Sequence, residues 1–183
     1  TYIYNSSGEV LSYQEDRDCD GVFDSSCYAC TYDSNGNMLT KQQDFSCDGT
    51  ISYCESYTYD TQGHVLTSNV DQDCDGTSDE DCLEFDYDVS GNLVKKQTDY
   101  ECSGIFFSCW YASYNDKGQQ LTSEQDPDCN GNFPSDCASY TYDAKGNLIS
   151  FCIDNDCDGE QDDCYVYAYQ CFSVSAIPAP PNI

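Results

Sequence analysis

One glycine returns along this chain at a nearly fixed interval: Gly8, Gly36, Gly63, Gly91, Gly118 and Gly146, with spacings of 28, 27, 28, 27 and 28 residues. Two cysteines keep step with it. The first stands at Cys19, Cys47, Cys74, Cys102, Cys129 and Cys157, and the second follows alternately 8 and 7 residues later at Cys27, Cys54, Cys82, Cys109, Cys137 and Cys164. Self-similarity of this kind marks a repeat architecture, in which each unit buries its surface only against its neighbours. There are six units, at about residues 2–29, 30–56, 57–84, 85–111, 112–139 and 140–172, followed by an extended Pro-rich tail at 173–183. The alternating spacing makes a pair of units, about 55 residues, the expected full period.

Each unit has two halves. The first alternates aromatics and then reads Asp-x-x-Gly before two apolar residues, as in Tyr57-Thr-Tyr-Asp-Thr-Gln-Gly-His-Val-Leu66. Tyr4, Tyr32, Tyr59, Tyr87, Tyr114 and Tyr142 fill the same aromatic place, and Asp or Asn follows each one. This describes a β-hairpin: the carboxylate caps the turn and glycine takes the positive φ. The second half is acidic and joins one hairpin to the next. No segment keeps helical periodicity over three turns. The predicted fold is therefore all-β, an antiparallel hairpin meander of about twelve strands, open and twisted or coiled, with turns along one edge and acidic cysteine loops along the other. A thirteenth strand is expected at Tyr165-Val-Tyr167-Ala-Tyr169, which has the aromatic pattern without a turn glycine after it.

The hairpin half, above all Tyr57-Thr-Tyr-Asp-Thr-Gln-Gly63, Tyr87-Asp-Val-Ser-Gly-Asn-Leu93 and Tyr140-Thr-Tyr-Asp-Ala-Lys-Gly-Asn-Leu148, resembles the YD (Rhs-type) repeat of secreted bacterial and teneurin-like proteins. The resemblance implies long coiled β-sheets, often hollow shells, with no catalysis in the repeats themselves. This chain departs from it through a longer period, and the extra length is the acidic two-cysteine loop. That loop resembles the Asp-rich calcium loops of thrombospondin type 3 and dockerin modules.

The acidic loops have the pattern that Ca²⁺ requires: hard oxygens at alternate positions and a glycine for the sharp bend. Asp16, Asp18, Asp20 and Asp24 fit in the first loop, and Asp71, Asp73, Asp75 and Asp79 in the third, with Asp81 as a further candidate. Asp126, Asp128 and Asn130 fit in the fifth, where Asp136 replaces the missing later ligand; Asp154, Asp156, Asp158 and Asp162 fit in the sixth. The second and fourth loops keep fewer carboxylates and carry Ile51, Tyr53, Phe106 and Phe107, so they are expected to pack rather than bind metal. About four calcium sites follow, each weak, with Kd on the order of 10⁻⁴ to 10⁻³ M, because no bidentate Glu closes a loop.

Charge and cysteine content agree with this picture. A formal net charge of -28 excludes nucleic-acid binding, which needs clustered Lys and Arg. No apolar run approaches the roughly 20 residues that span a bilayer, so membrane insertion is not expected. Fifteen cysteines point to a disulfide scaffold in an oxidising, extracellular setting, and the start at Thr1 fits a secreted or processed chain. The simplest pairing closes each loop on itself (Cys19–Cys27, Cys47–Cys54, Cys74–Cys82, Cys102–Cys109, Cys129–Cys137, Cys157–Cys164), while a ladder between neighbouring repeats stays open as the alternative. Cys152 and Cys171 are expected to pair at the C-terminal end, which leaves Cys30 buried and free or bonded between subunits.

Chemistry is not expected. His64 is the only histidine and reads as a surface turn residue, so nucleophilic triads have little to build on. The carboxylates recur by repeat, whereas a catalytic site is normally unique. The tyrosine column reads as stacked sheet core, with a sugar-binding platform as the minor reading, and Asn5-Ser-Ser7 is a glycosylation sequon at an exposed turn. Together these features predict a secreted, calcium- and disulfide-stabilised structural protein whose partners are further copies of itself, joined head to tail in a filament or surface layer. The other reading is an adhesin module that binds glycans or proteins, or a fragment of a larger shell.

Overall fold

A computed structural model describes residues 1–132 and 135–169. These residues form one sheet of thirteen strands in sequence order, every neighbouring pair antiparallel and no helix among them. The strands are β1 (Tyr2–Tyr4), β2 (Val10–Glu15), β3 (Ser26–Tyr32), β4 (Met38–Asp44), β5 (Tyr53–Tyr59), β6 (Val65–Asp71), β7 (Glu80–Tyr87), β8 (Leu93–Asp99), β9 (Ser108–Tyr114), β10 (Gln120–Asp126), β11 (Ser135–Tyr142), β12 (Leu148–Asp154) and β13 (Asp163–Val166). The thirteenth strand comes earlier than expected: Tyr167–Tyr169 lie beyond its end, although the Tyr167 amide still donates to the Ile149 carbonyl. The tail at 173–183 lies outside the described residues.

The hairpin turns are built as the Asp-x-x-Gly motif requires. In the second unit, Asp33 Oδ1 accepts the amides of Asn35 and Asn37, and the Asn37 side chain donates to Oδ2 at 2.9 Å. Asp60, Asp88 and Asp143 repeat the arrangement, with Asn5 and Asn115 as amide versions. The glycine of each turn has φ between 74° and 95°, a region that side chains with a Cβ avoid. Turns of successive units stack on one another: a Cβ at Gly91 would come within 3.0 Å of the His64 ring of the preceding unit.

Register divides the sheet into two chemically different faces, because directly paired residues share a face and successive residues alternate. One face carries Ser12, Gln14, Cys27, Ala29, Thr40, Gln42 and Asp44 and their counterparts in later units. Hydroxyl pairs link its strands, as between Thr31 and Thr40 or Thr58 and Thr67, at 2.7 Å. The other face is aromatic. Tyr13 stacks on Tyr28, Tyr140 on Phe151 and Phe151 on Tyr165, while Lys41 sits over the Tyr28 ring. The repeated tyrosine lies against the preceding unit, its hydroxyl donating to a carbonyl there: Tyr32 to Val10 and Tyr59 to Met38. The column expected as stacked core is thus packed from unit to unit within one layer. Among the described residues, the buried apolar positions are Cys30, Cys109 and Cys152, so no core lies between two layers.

The two-unit period has a local cause. Units with eight residues between cysteines must absorb one more residue, and the third and fifth do so by a bulge. The β6–β7 and β10–β11 registers shift there, and Asp81 and Asp136 take φ of 49° and 63°.

Candidate metal loops and the cysteine ladder

The six acidic loops share one backbone design. The last residue of each even-numbered strand is an aspartate, or in the first unit the residue just after it. Its Oδ2 accepts the amide of the loop glycine five residues on: Gly21 to Asp16, Gly49 to Asp44, Gly76 to Asp71, Gly104 to Asp99, Gly131 to Asp126 and Gly159 to Asp154, at 2.6–2.9 Å. Two residues before each glycine, the cysteine is held at φ between 49° and 62°. The residue just before the glycine caps a turn of its own. Asp20, Asp48, Asp75, Asn130 and Asp158 each accept the amide two residues ahead at 2.8 Å. Positions one, three and five with glycine at six match the opening of a calcium-binding loop.

Three loops gather three carboxylates with oxygens within 4.8 Å of one another: Asp16, Asp18 and Asp20 in the first; Asp71, Asp73 and Asp75 in the third; Asp154, Asp156 and Asp162 in the sixth. The later candidates divide. Asp162 joins its cluster while accepting the Asn155 amide, and Asp158 caps the Glu160 amide instead. Asp79 Oδ1 takes the Gln72 amide, and Asp24 places its own amide on the Glu15 carbonyl. Asp81 and Asp136 sit on the bulges, Asp136 with its amide on the Asn155 carbonyl. In the fifth loop, Asn130 donates to Asp128 at 2.6 Å and Asp128 places its amide on Asp126.

The third loop has a further feature that suits a cation. Asp71 is 9% exposed, and its Oδ1 has no hydrogen-bond partner. A buried carboxylate oxygen with nothing to accept is costly; among the described residues Glu9 Oε2 is the other such atom, and it lies in no carboxylate cluster. The Asp71 carboxylate belongs to the cluster with Asp73 and Asp75. In the sixth loop, repulsion from Asp158, with burial adding to it, raises the Asp156 carboxyl above its ordinary value. An oxygen-only donor set of this kind fits a hard divalent ion such as Ca²⁺.

The second and fourth loops have the same first aspartate without the cluster. For Asp99, burial opposes ionisation, but the amides of Gly104 and Glu101 outweigh it and hold the carboxyl below its ordinary value; Asp44 behaves alike. The recurring first aspartate is therefore a loop-closing residue in all six units and a metal-ligand candidate in some. Sequence spacing missed this role of Asp44 and Asp99, although the signal, Asp followed five residues later by Gly, was present.

The disulfides correct the pairing expected within loops. The second cysteine of one unit bonds the first cysteine of the next: Cys27–Cys47, Cys54–Cys74, Cys82–Cys102, Cys109–Cys129 and Cys137–Cys157, each 20 residues apart with Cα atoms 5.1–5.4 Å apart. The reason is the left-handed cysteine, which turns each loop back over the strand pair it has just left instead of forward to the next strand. Cys27 is paired in register with Asp44, so the rung covers the buried aspartate, and the other four rungs do the same. The five covered aspartates are all buried; Asp16, over which no rung lies, is only half-buried.

The remaining cysteines also differ from expectation. Cys152 bonds Cys164, its register partner across β12 and β13, and not Cys171, which lies outside the described residues. Cys30 is buried and free, its thiol pushed up by burial. Cys19, expected to pair with Cys27, is free and exposed, because Cys27 is bonded to Cys47. His64 is less exposed than a plain turn residue: its Nδ1 lies 2.8 Å from Asp60 Oδ2 and its ring stacks on Tyr87. Asn5 caps the first turn through its Oδ1, as the aspartates do elsewhere.

No family model matches the chain, and no curated protein does. Solved structures do resemble it. The crystal structure of TcdB2-TccC3-TEV matches with a TM-score of 0.60 at 16% identity, over 83% of this chain and 7% of that one. The structure of the Photorhabdus luminescens Tc holotoxin pore, carrying the TccC3-D651A mutation, matches over 92% of this chain and 12% of that one, with a TM-score of 0.26 at 11% identity. The first likeness shows a shared β fold. This chain spans only a small part of those molecules.

Proposed function

We propose that the chain is a secreted structural repeat protein, stabilised by calcium and disulfides, that assembles head to tail into an extracellular filament or surface layer. The observation that carries this reading is the open sheet: among the described residues β1 and β13 are both edges, each with one side of its main chain unpaired. Exposed strand edges recruit further strands. The aromatics at both ends are exposed as well, with Tyr2 and Tyr4 on β1 and Tyr165 on β13. Six disulfides among the described residues belong in an oxidising compartment.

Calcium serves this role as a stiffener. The clusters at Asp16, Asp71 and Asp154 lie along one edge of the sheet, where bound cations remove the repulsion that crowded carboxylates impose. The repeated carboxylates have a structural task, and the chain is read as non-catalytic. Sedimentation velocity at rising protein concentration tests the assembly. The proposal expects large species that grow with concentration and with added calcium; a single monomeric boundary throughout would contradict it.

A second reading has its own support. The chain matches 7% of a far larger molecule over most of its own length, and this reading makes it one stretch of a larger shell or adhesin. A glycan array separates the two, since a purely structural subunit binds no glycan selectively.

A further inference from the structure

The two ends of the ladder are complementary. Cys19 occupies the same loop position as the five bonded first cysteines, and its φ of 62° resembles theirs. It differs in having no second cysteine, among the described residues, on the strand beside it. That strand is β1, only three residues long, paired to β2 as Tyr2 to Tyr13, Ile3 to Ser12 and Tyr4 to Val10. In the other hairpins the first strand is longer and brings its cysteine opposite the loop-closing aspartate, as Cys27 stands opposite Asp44.

The opposite end has what the first end lacks. Cys164-Tyr-Val-Tyr-Ala-Tyr169 repeats the spacing of a complete first strand, with Tyr167-Ala-Tyr169 in the places of Tyr2-Ile-Tyr4. Its partner strand β12 lies on one side, and no strand among the described residues lies on the other. Cys164 is exposed, and it cannot join a rung within the described residues because it is closed on Cys152. Cys152 stands where the equivalent strands have Gln14, Gln42 and Gln97, each the register partner of the next cysteine. A glutamine there leaves the next cysteine for the rung; the cysteine caps it.

We infer that β13 of one copy takes the place of β1 on the next copy, and that Cys19 of that copy then displaces Cys152 from Cys164 by thiol–disulfide exchange. This rests on the head-to-tail reading above and supplies its junction. Continuing the register of the other hairpins sets Cys164 opposite Asp16 and Tyr167, Ala168 and Tyr169 opposite Tyr13, Ser12 and Val10. In the exchange the Cys19 thiolate attacks the Cys164 sulfur, the Cys19–Cys164 bond forms, the Cys152–Cys164 bond breaks, and Cys152 leaves as a thiolate that takes a proton. One thiol is consumed and one appears, so no oxidant is needed. The new rung covers Asp16, the one loop-closing aspartate that is only half-buried, as the other five are covered.

The test is non-reducing electrophoresis with peptide mapping of the purified chain held at high concentration without oxidant, beside the Cys19→Ser and Cys30→Ser variants. The inference expects a covalent ladder in the wild type and in Cys30→Ser, a Cys19–Cys164 cross-linked peptide, an unchanged total thiol count, and complete loss of the ladder in Cys19→Ser. A ladder that persists in Cys19→Ser, or a cross-link through any other pair, overturns it. Light scattering on the same samples separates the two levels. Large assemblies that fall to single chains in non-reducing detergent overturn the exchange and leave the filament reading standing, whereas single chains before detergent overturn both.

Discussion

The Gly76 amide donates to Oδ2 of Asp71 at 2.9 Å, and that bond leaves Oδ1 of Asp71 buried with nothing to accept. One oxygen closes the loop, and the carboxylate lies in a cluster with Asp73 and Asp75. The same closing bond exists between Asp99 and Gly104, without a carboxylate cluster around it.

That contrast separates calcium from loop closure. At 10 mM Ca²⁺, a site with Kd near 10⁻⁴ M adds about 2.7 kcal/mol, and chelation of several such sites lowers the melting temperature by several degrees. Asp71→Asn keeps an acceptor for Gly76, so it should lose part of the calcium response while remaining folded in EDTA. Asp99→Asn should leave the calcium response unchanged. Melting curves with calcium and with EDTA measure both; an identical response in the two variants would contradict the assignment.

The rungs carry stability of their own. Closing a loop of 20 residues contributes about 3 kcal/mol by the chain-entropy estimate, which is a drop of roughly 6–12 °C when one rung is removed from a chain of this size. Cys54→Ser with Cys74→Ser should show that drop in calorimetry. Replacing Cys19 alone should leave the monomer's melting temperature unchanged, because that thiol is free.

Stacking of turns is testable at glycine. Gly91 and Gly8 both have positive φ, so alanine at either costs about 1–2 kcal/mol from the backbone. At Gly8 a Cβ meets nothing within 4 Å, whereas at Gly91 it presses on His64 at 3.0 Å. Gly91→Ala should therefore be the more destabilising in chemical denaturation, and His64→Ala should remove the difference. Equal costs for the two glycines would show that the turns do not stack in solution.

Acid should unfold the hairpins from their turns. Side-chain and backbone amides, chiefly those of Asn37, Asn92 and Asn147, hold Asp33, Asp88 and Asp143 below the ordinary 3.8. Folded values below unfolded ones mean that this stability is complete above the unfolded value and is lost as pH falls through the folded one. Stability should be steady near neutrality in this respect and fall below about pH 4, with Asp88→Asn shallower than wild type. A pH profile for Asp88→Asn that parallels the wild type would exclude this turn.

Much of the fold was legible because strands and turns are local events. The Asp-x-x-Gly turn, the alternating aromatics and the repeat length specify each hairpin within a few residues, and thirteen strands follow. Disulfide pairing was not legible. Cys47 lies seven residues from Cys54 and 20 from Cys27, yet the left-handed backbone at Cys47 aims it at the farther one. Sequence spacing also read the loop aspartates as ligands only. That Asp71 closes its loop through Gly76 depends on where the two oxygens of one carboxylate point, and only the folded loop shows it. The end of the last strand depends on β12 alone, because nothing among the described residues pairs with its far side.

Electron microscopy of the purified chain at high concentration with calcium tests the central claim most directly. The account predicts continuous filaments whose sheet advances about 4.8 Å per strand, roughly 60 Å of sheet for each chain, with β13 of one copy against β2 of the next. Discrete single-chain particles at every concentration would contradict it.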